Sequence, residues 1–234
     1  MIAAVEYLTT RDDIDSGLIG IYAVSEGAWF APEVAVRTQK VAFIFNKVGS
    51  TLPVEESWLW EVGNDLLADG FSRADAAKLV DLARLRWDYY QDVASDPSLA
   101  AGPRRDAINV EIARVIAEVP SAETVIDPEL VAYDQEDLVR FAANSAYDPG
   151  PFVHELDIPM YFTYGELDPN VPTKQSVAAL DALQVTDKNV EYRVFPGVGH
   201  GLATWKGALE LGYVPGYLDT LDRWTDDRRL QRQR

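Results

Sequence analysis

The sequence predicts an α/β protein: a parallel sheet with helices on both faces, interrupted by a helical insertion. Two observations carry this. Short apolar runs of the kind that suit strands buried on both faces, such as Gly17–Val24, alternate with helical patterns at both ends of the chain. Between them, from about Gly49 to Asn144, the pattern is helical only. The order is α-β-α-β, a helical block, then β-α-β-α, and alternation of this kind argues for a parallel sheet.

Taken in order, Ile2–Thr10 has apolar residues at helical spacing, and Arg11–Asp15 reads as a polar turn. Gly17–Val24 is the first strand, Ala28–Arg37 a helix and Val41–Phe45 a second short strand. In the helical block, Ser72 and Asp75 fit a helix-starting cap, and Gly70 fits the stop of the helix before it. Ala76–Val93 and Asp106–Val119 are amphipathic helices. Strands return at Met160–Tyr164 and Val190–Phe195, with a helix at Lys174–Leu183 between them and a last helix at Pro215–Trp224. The expected organisation is a core of residues 1–50 and 141–234, with 51–140 as the insertion.

Composition narrows the function classes. Of the 234 residues, 47% are hydrophobic, enough for a sizeable core. The formal net charge of −17 opposes nucleic-acid backbones and anionic membranes. No apolar run approaches the roughly 18 residues of a membrane span. The Met1–Glu6 start has neither the basic residues nor the apolar stretch of a signal peptide. Cysteine is absent, which excludes disulfides and thiolate chemistry and favours a cytoplasmic protein. With only His154 and His200 in the chain, a multi-histidine metal site is not expected, and no cofactor is implied.

Three residues could carry chemistry together. Ser25 stands in Ala23-Val24-Ser25-Glu26-Gly27, between a strand and a helix. That is the setting of a nucleophile elbow, with Ala23 where the usual motif has glycine. Read alone, a serine between small residues is more often a helix N-cap. Asp168 lies in the loop Gly165–Pro172, directly past a strand, with Glu166 as a competitor for the acid role. His200 lies between Gly199 and Gly201, again past a strand, whereas His154 precedes one and reads as structural. Sites in parallel sheets sit at the carboxyl ends of strands, and each of the three residues follows its own. A histidine can take a serine proton when a carboxylate fixes its tautomer, so the set reads as nucleophile, acid and base.

At these residues the chain resembles α/β-hydrolases, specifically bacterial serine carboxylesterases related to dienelactone-hydrolase-like and acyl-aminopeptidase-like proteins. Gly17–Ala35 looks like that family's strand five and elbow, and Val41–Glu56 like strand six and the entry to a cap. Ser145–Pro172 looks like the approach to strand seven and the acid loop. Val190–Leu202 looks like strand eight and the histidine loop, and Tyr213–Trp224 like the terminal helix. The resemblance therefore implies the C-terminal part of an α/β-hydrolase sheet, strands five to eight, with a helical cap. It also implies that the earlier strands have no counterpart here.

It implies further that Ser25 is the nucleophile, Asp168 the acid, His200 the base and the Glu26 backbone N–H an oxyanion donor, acting on a small-molecule ester. Trp29, Phe30, Trp58 and Trp60 are expected to line an acyl pocket or to serve as ordinary packing. Two further readings stay open: a peptidase on the same triad, or an inactive remnant serving as an interaction module. The unmatched strands lead to the expectation of a homo-oligomer, or of a partner chain that supplies them.

Overall fold

The computed structural model describes residues 1–184, 189–205 and 211–232. The chain divides into two compact units: residues 1–53 with 148–234, and residues 54–147.

The first unit is built on four parallel strands in the order β1-β2-β3-β4: β1 (Gly20–Val24), β2 (Phe43–Lys47), β3 (Met160–Gly165) and β4 (Val190–Phe195). Gly20 pairs with Phe43, Ile44 with Met160, and Met160 with Val190, so sequence order and spatial order coincide. Each crossover is helical or contains the other unit, as parallel pairing requires.

One face of the sheet is covered by α1 (Ile2–Leu8), α2 (Glu26–Thr38), α7 (Gly150–Glu155) and α8 (Thr173–Gln184). Ala31, Val34, Ile44, Phe162 and Leu180 pack there. The other face carries α9 (Tyr217–Arg232), where Phe45, Phe195, Tyr217 and Trp224 form an aromatic layer. In that layer Phe45 stacks on Tyr161 with centroids 5.3 Å apart. Aromatic pairs of this kind add about 0.5–1.5 kcal/mol beyond the area they bury.

Two sequence expectations need correction. Gly17–Val24 is not buried on both faces: the strand starts at Gly20, and Tyr22 and Val24 are 48% and 42% exposed. The cause is position. β1 is an edge strand, with a neighbour on one side only among the described residues. Residues 17 and 18 instead close a turn in which the Asp15 carboxylate and carbonyl accept from the Gly17 and Leu18 amides. The last helix also runs past Trp224 to Arg232. Its final turns are polar, so apolar periodicity does not reveal them. An antiparallel pair, β5 (Ala203–Trp205) with β6 (Leu211–Tyr213), was not anticipated.

The second unit is helical: α3 (Val54–Ala68), α4 (Arg73–Ser95), α5 (Pro103–Glu118) and α6 (Gln135–Ser145), with two short 3-10 turns. Its core of Leu79, Leu82, Ile108, Ile112 and Val115 lies entirely within residues 54–147. The helix signals act as the sequence suggests. The Ser72 hydroxyl accepts from the Asp75 amide at 3.1 Å and donates to its carboxylate at 2.7 Å. Gly70 adopts φ +92°, and the Phe71 amide closes back onto the Leu66 carbonyl at 3.0 Å. No helix of the described residues is long and apolar enough to cross a membrane.

Candidate active site

Three loops at the carboxyl ends of β1, β3 and β4 converge. Ser25 forms the junction of β1 and α2 with φ 51° and ψ −124°, a conformation that L-residues avoid. The turn is pinned from both sides. The Ser25 amide donates to the Lys47 carbonyl at 2.9 Å, and the Ser25 carbonyl accepts from the Ala28 amide at 2.9 Å. Although Ser25 stands at the N-cap position, its hydroxyl makes no capping hydrogen bond. It lies 2.8 Å from His200 Nε2 instead. The plain N-cap reading therefore does not describe this serine.

His200 Nδ1 lies 3.1 and 3.0 Å from the two carboxylate oxygens of Asp168. Because a carboxylate can only accept, the imidazole carries its proton on Nδ1. That leaves Nε2 as an acceptor for the serine hydroxyl. The Asp168 side chain is fully buried and that of His200 about a quarter exposed. The carboxylate is also held by the Asn170 and Val171 amides, which donate to Oδ1 at 2.9 and 3.0 Å. The Asp168-Pro169-Asn170 sequence is the signal for this side-chain turn.

Glu166, the alternative acid, does something else. Its carboxylate accepts from the Gly197 amide at 2.9 Å, and its own amide donates to the Phe195 carbonyl at 2.9 Å. Glu166 thus clasps the β3 and β4 loops together. Gly165 permits that closeness: a Cβ there would meet the carbonyls of Gly199 and Val198 at 2.4 and 2.5 Å. At the other loop, a Cβ on Gly49 would lie 2.0 Å from the Ala28 Cβ, so Gly49 lets the β2 loop close onto the first turn of α2. Neither glycine is singled out by sequence reading, since close backbone approach leaves no pattern along the chain.

Glu26 is the first residue of α2, where backbone N–H groups have no partner within the helix and the helix dipole is positive. Trp29 is buried and Phe30 half-buried on the same helix. Trp58 and Trp60 belong to the helical unit. Trp58 packs against Trp87 and Phe141 with centroids 5.9 and 6.3 Å apart, while Trp60 is exposed. His154 is exposed at the end of α7.

Comparison with known proteins bears on the fold. The prolyl oligopeptidase family model matches residues 121–210, a span that contains Asp168 and His200 but not Ser25. No curated protein matches the chain. Among solved structures, a 2,6-dihydroxy-pseudo-oxynicotine hydrolase is 16% identical over 96% of this chain and 44% of its own, with a TM-score of 0.50. An acetyl xylan esterase from Paenibacillus sp. R4 is 15% identical over 97% of this chain and 50% of its own, with a TM-score of 0.49. Acetyl xylan esterase 1 from Thermoanaerobacterium sp. JW/SL YS485 is 12% identical over 96% and 50%, with a TM-score of 0.46. The chain spans about half the length of these structures. The parallel sheet, its crossover helices and the likeness to the pseudo-oxynicotine hydrolase assign the chain the α/β-hydrolase fold.

Proposed function

We propose that this protein is a serine hydrolase that cleaves carboxylic esters through an acyl-enzyme. The observation that carries the reading is the continuous relay from the Ser25 hydroxyl through His200 to the buried Asp168 carboxylate. In this mechanism Ser25 Oγ attacks the acyl carbon while Nε2 of His200 takes its proton. Asp168 fixes the tautomer and stabilises the imidazolium that forms. The Glu26 amide, at the positive end of α2, donates to the developing oxyanion. His200 then returns the proton to the leaving alcohol. Water, deprotonated by the same imidazole, releases the acid and restores Ser25. The strained turn at Ser25 supports this role, because such strain keeps a nucleophile clear of its own helix.

Amide cleavage on the same residues is the second reading, and the match to the prolyl oligopeptidase family favours it. A third is an inactive fold kept for interaction. Two experiments separate the three. A fluorophosphonate should label the chain at Ser25 and leave Ser25→Ala unlabelled, and the absence of any label would leave the inactive reading standing. Turnover of short- and long-chain aryl esters against an aminoacyl anilide then distinguishes esterase from peptidase.

A further inference from the structure

The helical unit contains a cavity of about 420 Å³ between α4 and α6, lined by Arg86, Trp87, Tyr90, Tyr133, Asp137 and Phe141. That volume falls in the range of small-molecule sites. Its walls are aromatic and mutually braced. Tyr90 meets Tyr133 edge-on at 5.1 Å, and Trp87 meets Phe141 edge-on at 6.1 Å. Trp58 backs the last two rings.

Two charges face this space, and they are not equivalent. Asp137 is solvent-exposed and has its own cation, Arg140, at 3.6 Å. The Arg86 side chain is only 15% exposed, and its nearest described carboxylate, the exposed Asp127, is 3.9 Å away. That is long for a charge-assisted hydrogen bond. A guanidinium cannot shed its charge, offers five N–H donors and accepts nothing. Withdrawn from water, it is stabilised by an anion that meets those donors in its own plane. The neighbouring Tyr90 phenol accepts a hydrogen bond from Arg86 but supplies no charge, since burial raises its pKa and its own hydroxyl donates to the Val131 carbonyl at 3.2 Å.

We infer that this cavity binds a small aryl carboxylate, with the ring against Trp87, Tyr90 and Phe141 and the carboxylate on Arg86. An organic cation would suit the rings alone, but Arg86 would repel it. The inference is independent of any role for Ser25, because every group it uses lies in the helical unit.

The test is titration of the full chain with 3-phenylpropionate, followed by tryptophan fluorescence and calorimetry, alongside 3-phenylpropanamide and 3-phenylpropylamine. The acid should bind saturably and about tenfold or more tightly than the amide, the loss expected for a charged hydrogen bond. Arg86→Met should lose a similar factor, while Ser25→Ala and Asp137→Asn should bind the acid at least as well as the parent. Several results would overturn the proposal: an amine that binds best, an acid and amide that bind alike, undiminished affinity in Arg86→Met, loss of affinity in Ser25→Ala, or no saturable binding at millimolar acid. Should Arg86→Met fail to fold by circular dichroism, Ala83→Leu narrows the same cavity and leaves the guanidinium in place. It too should weaken the acid, and unchanged affinity there counts against the site.

Discussion

At the scale of single residues, two carboxylates two positions apart in one loop have been given different work by their hydrogen bonds. Asp168 is buried and meets His200 Nδ1, whereas Glu166 is exposed and accepts from Gly197. Ser25→Ala and His200→Ala should each abolish ester turnover while the thermal midpoint stays near that of the parent, and the double variant should be little worse than either single one. Retained turnover in purified Ser25→Ala would sink the assignment. Asp168→Asn should fold and turn over roughly 10⁴-fold more slowly, because an amide in that place no longer holds the histidine tautomer. Glu166→Gln should cost far less, since an amide oxygen can still accept from the Gly197 amide. If steady-state kinetics rank the two in the opposite order, the acid is Glu166.

At the scale of elements, Gly165 ties strand geometry to site geometry. Gly165→Ala must push back the carbonyls of Val198 and Gly199, immediately before His200. Overpacking against backbone of this kind costs about 1–3 kcal/mol, and the shift should also slow fluorophosphonate labelling by drawing His200 off Ser25. A thermal melt and a labelling time course on the same sample check both; an unchanged rate would mean the histidine loop is held by other contacts. The placements written in local sequence were legible: Ser25 between strand and helix, Asp168 and His200 each past a strand, and the Ser72 cap. What stayed illegible depends on through-space neighbours. The exposure of Tyr22 and Val24 follows from which strand lies at the edge, and their apolar run reads the same in the middle of a sheet as at its margin. The β5–β6 pair has strands of three residues each, too short to show period-two alternation. The clasp by Glu166 joins residues far apart in the chain.

At the scale of the whole molecule, the parallel sheet ends at β1 in a strand whose outer side has no partner among the described residues. The Ile19 carbonyl and the Ser25 amide both face β2, so by alternation the backbone groups of Gly20, Tyr22 and Val24 point away from it. This edge carries neither charge nor proline, the two common devices that keep an edge from recruiting another strand. We therefore expect it to pair, either with its own copy as a C₂ antiparallel ribbon or with a separate chain that extends the sheet in parallel. Charge separates these outcomes. Two copies at −17 each repel at low salt, and screening relieves that repulsion. Self-pairing should thus strengthen from about 10 to about 150 mM salt, as the Debye length falls from about 30 to about 8 Å. A basic partner chain would bind more weakly over the same range. Light scattering at micromolar concentration, read beside hydrogen exchange at Gly20, Tyr22 and Val24, follows both quantities at once. Protection of these three amides that rises with the apparent mass identifies β1 as the contact. A monodisperse monomer at every salt concentration, with the same amides exchanging freely, would show that the edge stays open and that the protein does not extend its sheet.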